Sequence, residues 1–355
     1  MSETLNKKTA IILFNLGGPD SLENVRPFLF NLFSDKWIIR FPLLVRKAIA
    51  YIISKNRYKL AQENYQLMGG KSPLLAETQK QKKALEESLR RAKFQDFEIF
   101  ISMRYWNPLA KEVVKQVKEY NPDEIIFLPL YPQFSSSTTL SSFEEFESLL
   151  KKTSVNADVK KICCYYDNEK FIDAHISLIK ETIKKFKKDE KVKILFSAHS
   201  IPVKYVKSGD PYEWQIINTV KAILKDEIIS KYETSLCYQS KVGPIKWLSP
   251  TTESEIEKAA KEKFNIIIIP IAFISEHIET LVELDIEYKH IADSHNVRYE
   301  RVEALGINKE FISSLTDMVL HSSKKEENIY NFGSEICPEN FSNCVCRGNK
   351  NGSIL

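Results

Sequence analysis

The sequence predicts a parallel α/β protein made of two similar domains, and three observations predict it. Six short runs are nearly continuously apolar: Ala10–Leu16, Phe97–Met103, Ile125–Leu130, Val192–Phe196, Thr234–Tyr238 and Ile266–Ile271. Strands covered on both faces read this way. Amphipathic stretches such as Leu109–Tyr120 and Glu253–Phe264 lie between them, and strand–helix alternation favours a parallel sheet. The third observation is a faint internal repeat. WNPLAKEVVKQVKEYNPDEIIFLPL from Trp106 parallels WLSPTTESEIEKAAKEKFNIIIIPI from Trp247. Each has a proline at a helix start, then a helix, then a strand ending in Pro-aliphatic. A strand–loop opening precedes each, ILFNLGGPDS at Ile12 and ILFSAHSIPV at Ile194. The expected organisation is an N-terminal domain over 1–165, a C-terminal domain over 166–322 and a tail over 323–355.

Composition fits this division. A chain of 355 residues that is 43% hydrophobic and 28% charged is globular and suits two domains. The net charge of +4, from 51 basic against 47 acidic residues, excludes a large nucleic-acid footprint. Met1–Thr9 is polar, without the apolar core of a signal peptide. No apolar run reaches the roughly 18 residues of a membrane span. The expectation is a cytoplasmic protein, peripheral to a membrane at most. Six cysteines in such a chain read as reduced thiols or metal ligands rather than a disulfide framework. The tail after Ser322 opens with a charged run, turns polar, and reads as an appendage to the second domain.

Between the first strand and the helix before Phe97 lies an insertion-like apolar stretch, Trp37 to Ile53, interleaved with Arg40, Arg46 and Lys47. Such a segment lies on an anionic membrane surface or is a core-facing helix with a solvated basic face. The pattern alone leaves both open.

Ligands of open α/β sheets bind beyond the carboxyl ends of the strands. Unusual polar residues collect there: Asn15 and Leu16-Gly17-Gly18 after the first run, Arg104 and Tyr105 after the second, and Tyr131 with the hydroxyl loop Ser135–Thr139 after the third. Ser197-Ala198-His199-Ser200, Gln239-Ser240-Lys241 and Ser275-Glu276-His277 follow the others. His199 stands where a base or a metal ligand is commonly mounted. In SEHIETLVELDIEYKH, read as a helix, Glu276, Glu279, Glu283 and Glu287 form one stripe. Like charges at that spacing repel, so the stripe calls for cations or protons, unless it is merely a solvated face. Carboxylates suit hard divalent ions, and iron also accepts imidazole. The glycine pair is neither a P-loop nor a dinucleotide fingerprint, and no G-x-S-x-G, H-E-x-x-H or C-x₂-C pattern occurs.

LGGPDS from Leu16, MRYWNP from Met103, LYPQFSSSTT from Leu130, SAHSIPVKYVKSGDPY from Ser197, YQSKVGPIKWLSP from Tyr238 and PIAFISEHIETLVELDIEY from Pro270 occur in this order. In these segments the chain resembles the ferrochelatases, over roughly residues 9–322. The resemblance implies two Rossmann-like, chelatase-type domains flanking a porphyrin cleft, and a lyase that inserts Fe²⁺ into protoporphyrin IX with release of two protons. It implies that His199 and Glu279 are catalytic, with His199 as proton acceptor or metal ligand. It also implies a metal path through His199, Glu279, Glu283 and Glu287. Porphyrin contacts would come from Leu16, Arg104, Tyr105, Tyr131, Ser135, Ser137, Thr138, Gln239 and Trp247. Residues 37–53 fall at the apolar lip of membrane-associated members. Such a lip suits protoporphyrin IX, with two propionates, better than coproporphyrin III, with four, and better than cobalt insertion into a corrinoid precursor. The reading from another class is a non-catalytic porphyrin or haem carrier. A homodimer is implied by the resemblance only.

Some members bind a [2Fe–2S] cluster through four cysteines, three of them in the tail. Cys337, Cys344 and Cys346 are the candidates here, against the alternative of free thiols. Their spacing departs from the animal pattern, and Ala174 stands where the fourth ligand is expected. Cys163, Cys164 or Cys237 would have to substitute.

Overall fold

The computed structural model describes residues 7–347. Its strands are β1 (Thr9–Asn15), β2 (Phe97–Met103), β3 (Glu124–Pro129), β4 (Asp158–Cys164), β5 (Val192–His199), β6 (Glu233–Gln239), β7 (Asn265–Pro270), β8 (Tyr299–Arg301) and β9 (Ile329–Asn331). They form two parallel sheets, ordered β2-β1-β3-β4-β9 and β6-β5-β7-β8. Without β9 the two orders are the same, so the expected two-fold repetition of the α/β pattern is present.

The repeat extends to single hydrogen bonds. The Met103 N–H donates to the Pro108 carbonyl at 2.8 Å, and the Tyr238 N–H to the Pro250 carbonyl at 2.9 Å. Each proline precedes a helix, Ala110–Tyr120 in the first half and Thr252–Lys261 in the second. The first buries Val113, Val114 and Val117 along one side and ends at Asn121, whose left-handed backbone (φ 50°) halts it. The second begins at Thr251, whose side chain accepts the Ser254 N–H.

Alternating side chains divide the core. Ile11, Leu13, Ile126 and Leu128 of the first sheet join Ile194, Phe196, Ile267 and Ile269 of the second in one continuous apolar cluster. Their neighbours Ile12, Phe14, Ile125 and Phe127 pack outward under Phe143 and Phe146. Leu195, Ile266 and Ile268 do the same in the second half. Strands buried on both faces explain the unbroken apolar runs.

Three strands were not legible. β8 and β9 have only three residues each. β4 carries Lys160 and Lys161, which break its apolar run. Both lysines are nevertheless buried. Lys160 meets fully buried Glu124 on β3 at 2.5 Å and donates to the Ser322 and Lys325 carbonyls. The tail also departs from expectation: β9 pairs with β4, so it extends the first sheet instead of appending to the second half. No described helix is long and apolar enough to cross a membrane.

Breaking a buried ion pair leaves one charge uncompensated and costs roughly 3–5 kcal/mol. Glu124→Ala is expected to lower chemical-denaturation stability by about 3 kcal/mol, read from the shift of the unfolding midpoint. An unchanged midpoint would show that the carbonyls around Lys160 suffice.

Candidate functional site

The carboxyl ends of the two sheets are tied together at two places, and the candidate site residues collect between them. On one side Gln81 donates to the carbonyls of Ile274 and Gly306 and accepts from Ser275. On the other, Ser135 and Ser136 bond the buried Asp210, and the Phe134 N–H bonds Gln215. Gly17 (φ 84°) and Gly18 end β1, where the chain passes close to other segments: a side chain at Gly18 would meet Ser72 Oγ at 2.4 Å.

His199 is the last residue of β5, and its Nδ1 lies 3.0 Å from Glu279 Oε2. His277 Nε2 approaches the same oxygen at 3.6 Å. The His199 side chain is 37% exposed and Glu279 20%, so the pair faces an opening. Gln239, at the end of β6, donates one amide group to the Glu279 carbonyl and to Glu283 Oε2, both at 3.0 Å. Ser240 donates to the same Glu283 oxygen at 2.6 Å. Ser197 donates to Gln239 Oε1, fixing which way that amide points.

Residues Glu279–Tyr288 form a π-helix. Its turn is wider than an α-helix's, and such segments collect at functional sites. Residues four apart are closer to alignment on it, so Glu279, Glu283 and Glu287 remain one row, running from the cleft wall to exposed Glu287. Glu276 departs from the row. It lies before the helix, where it accepts from Arg301 at 2.9 Å, Thr280 at 2.6 Å and the Ala304 N–H at 2.9 Å. Arg301 grips Asp285 as well, so one guanidinium ties the helix to the segment before it.

The charges are unevenly held. Burial opposes ionisation of Glu279, but His199 and then His277 outweigh it and hold its carboxyl far below the usual range. Burial disfavours a charged His199, yet Glu279 and Glu283 raise its pKa. Burial, then the neighbouring Glu279 charge, pushes Glu283 up to about 7. The site therefore places one ionised carboxylate beside one that exchanges protons near neutrality.

A second polar group lies at the end of the first sheet. Asp35, 4% exposed, accepts from Arg104 at 2.9 Å, from Tyr105 OH at 2.7 Å and from Ser141. Arg104 also meets Glu145 at 3.0 Å. Tyr105 is fully buried, a support beneath the surface, and its N–H donates to the Leu16 carbonyl. Tyr131, Ser137 and Thr138 are half-buried on the following loop, and Ser136–Leu140 is a second π-helix. Ser135 is buried against Asp210, and Trp247 donates to the Val242 carbonyl beside the cleft. Sequence reasoning missed Asp35 and Asp210 and gave no role to His277. Only the fold shows what they face.

The apolar stretch 37–53 begins as a turn and continues into the helix Leu43–Gln66. Phe41, Leu43, Leu44, Val45, Tyr51 and Ile52 are all about half exposed or more, Leu44 at 82%. The core-facing alternative thus does not hold for them. The same helix carries Tyr65 into the site, close enough to feel the Glu279 charge.

The tail brings the cysteines together. The sulfurs of Cys163, Cys344 and Cys346 lie within 4.8 Å of one another, with Cys163 and Cys344 at 3.8 Å. Cys337 faces Cys344. Phe134, Tyr166, Phe341 and Val345 surround them. Of the three candidate substitutes, Cys163 is the one in this group. Cys164 turns to Asn331, and Cys237 lies under Thr252.

Three comparisons bear on this geometry. A family model described as Ferrochelatase matches residues 8–323. A protein named ferrochelatase from Rickettsia felis is 54% identical over 346 residues, 97% of this chain and 99% of its own. One from Rickettsia bellii is 53% identical over 344 residues, covering 96% and 95%. Among solved structures, SirB from Bacillus subtilis with Fe3+ superposes with a TM-score of 0.52 at 12% identity, over 89% of this chain and 95% of that one. That likeness speaks to fold alone.

Glu283 keeps a proton in the folded state that an unfolded carboxyl has already lost, and His199 behaves alike at higher pH. The folded state then binds more protons, so stability falls as pH rises. For Glu283 the fall spans its ordinary value of 4.5 to about 7. Glu283→Gln is expected to flatten that part of a melting-temperature against pH curve. Superimposable curves for the two proteins would refute the raised value.

Proposed function

This chain belongs to the ferrochelatase family, lyases that insert iron into a porphyrin, and we propose that protoporphyrin IX is its porphyrin and the His199–Glu279 pair its catalytic centre. The observation that carries the assignment of the centre is the 3.0 Å contact between His199 Nδ1, at the carboxyl end of β5, and an ionised Glu279, at the start of the π-helix that follows β7.

The chemistry needs two things at once. Fe²⁺ must reach pyrrole nitrogens that still hold two protons, and both protons must leave. Bending the macrocycle exposes nitrogen lone pairs, and walls that fit the bent ring favour the transition state. Ionised Glu279, with the imidazoles of His199 and His277, offers the oxygen and nitrogen donors that Fe²⁺ accepts. Proton acceptance at the cleft falls to His199 or to Glu283, which titrates near neutrality as a general base should. Glu287, exposed at the outer end of the row, passes protons to water or admits iron from it. Arg104, Leu16, Tyr131, Ser137, Thr138 and Trp247 form the seat of the ring, and buried Tyr105, Ser135 and Gln239 hold it from beneath rather than touching the ring. The two domains that share the seat divide near residue 165, the first being completed by β9 from the tail.

The exposed residues between Phe41 and Ile52 support the choice of porphyrin and of location. An apolar mouth suits two vinyl groups better than two further propionates. With Arg46 and Lys47 alongside, it also suits the anionic cytoplasmic face of an inner membrane. Coproporphyrin III is the second reading, which the same lip disfavours.

Anaerobic incubation with protoporphyrin IX and Fe²⁺ is expected to convert the free-base spectrum to that of the metalloporphyrin. His199→Ala and Glu279→Gln should each slow the conversion by roughly 10²–10⁴-fold, the span of general acid–base catalysis. A His199→Ala protein that matches the parent would falsify the assignment, and faster turnover of coproporphyrin III would replace the substrate. For the lip, Leu44→Ser combined with Ile52→Ser should reduce sedimentation with anionic liposomes. Equal partitioning of the parent and this variant would remove the membrane reading.

The four clustered thiols fit a [2Fe–2S] group held by Cys163, Cys337, Cys344 and Cys346. The donor set is four sulfurs, three of them buried, beside Phe134, Tyr166, Phe341 and Val345, with an N–H bond to Cys337 from Gln215 at 3.1 Å. Such a group supplies one-electron chemistry and a covalent staple for the tail. Protein purified without oxygen should be red-brown, and Cys163→Ser should be colourless. A parent with negligible iron at this site leaves four thiols and no cluster.

A further inference from the structure

Two arms run from the cysteine-bearing tail to the hydroxyl loop that seats the porphyrin. In the first, Gln215, fully buried, donates to Cys337 Sγ at 3.1 Å and to Cys164 Sγ at 3.4 Å. Its Oε1 accepts the Phe134 N–H at 2.6 Å. A single amide thus spans the tail, β4 and the residue before Ser135. In the second, the Asn343 N–H donates to the Gly209 carbonyl at 3.1 Å, and its side chain donates to the Ser208 carbonyl at 3.0 Å. Ser342 packs so closely on Gly209 (φ 96°) that a β-carbon there would meet its Oγ at 2.5 Å. The next residue, Asp210, takes the Ser135 hydroxyl at 3.0 Å, the Ser136 N–H at 2.7 Å and the Ser136 hydroxyl at 2.6 Å.

Both arms end on residues 134–136, from opposite ends of the tail segment 337–343. None of these groups belongs to the His199–Glu279 centre. A loop held from two sides before ligand arrives loses less freedom on binding, which strengthens binding without altering chemistry.

We propose that the tail is a clamp whose grip, through Gln215 and Gly209, sets the affinity of the cleft for porphyrin and not the rate of metal insertion. Gln215 is a positioning residue in this scheme. The proposal rests on the reading of loop 134–138 as part of the porphyrin seat. A cluster at Cys337 would tighten the first arm, and without one that arm rests on the Gln215 hydrogen bonds alone.

The test uses the full chain purified without oxygen, with three readouts: the dissociation constant for protoporphyrin IX from fluorescence titration, the split between KM and kcat, and the midpoint potential of any visible chromophore. Gln215→Leu should weaken binding and raise KM about fivefold, the worth of one lost neutral hydrogen bond, with kcat within about twofold of the parent. Its chromophore should persist at a more negative potential, because an N–H donor to a cluster sulfur is gone. Gly209→Ala pries the other arm and should weaken binding to a similar degree at unchanged potential. It decides the matter alone if the first variant does not fold. Parent-like affinity in a folded variant overturns the clamp, as does a fall in kcat at constant KM. A colourless parent defeats the cluster reading only; the affinities of the two variants then still decide whether the tail grips the loop. Ordinary porphyrin release by Cys337→Ser together with parent-like Gln215→Leu would likewise overturn it, since the first arm would carry nothing.

Discussion

The site depends on keeping a carboxylate ionised inside a cleft wall. Burial works against Glu279, and only the imidazoles beside it reverse the balance. Much of the local architecture follows from that requirement. β5 must end at His199 so that its ring reaches Glu279. The π-helix must begin at Glu279, and Gln239 must turn its amide toward the helix's first carbonyl. Ser197 settles that turn from below. Arg301 then holds Glu276 and Asp285, so the segment leading into the helix and the helix's later turn are fixed by one side chain. The neighbouring Glu283 takes the opposite character, because the charge on Glu279 makes a second charge costly.

A similar economy governs the first half. Asp35 gathers Arg104, Tyr105 and Ser141 around one oxygen, and these come from two separate segments, the residues just after β2 and the helix that follows the hydroxyl loop. The apolar lip starts two residues later. Its starting point is therefore set beside the same buried aspartate that orients Arg104 and Tyr105. Anchored at Asp35 and returning to the site at Tyr65, the lip can leave its apolar side chains exposed without losing its place.

The sequence carried most of the fold because parallel strands buried on both faces write themselves as unbroken apolar runs. β4 escaped because its two lysines are neutralised by residues on other elements, Glu124 and Glu147, and no local pattern announces such pairing. The glutamate row was legible as spacing, but not as a π-helix, and spacings of three, four and four read on an α-helix enlist Glu276, which lies before the helix. Its true partner, Arg301, is far along the chain. Asp35 and Asp210 were invisible for the same reason: an isolated aspartate in a loop says nothing until the fold shows what converges on it. The family motifs singled out the candidate residues that pattern alone left open, yet they did not point to Cys163 as the thiol that joins the tail cysteines. That adjacency arises from β9 pairing with β4.

The same pairing has a consequence for biosynthesis. β9 is the edge strand of the first sheet, yet it is made only after the whole second sheet has been translated. Through that interval β4 presents an open edge, with unpaired backbone groups that invite other strands. Lys160 and Lys161 lie on that strand, and charge on an exposed edge discourages wrong pairing. The two lysines that hid β4 from the sequence are thus suited to guard it while the nascent chain waits for its last strand.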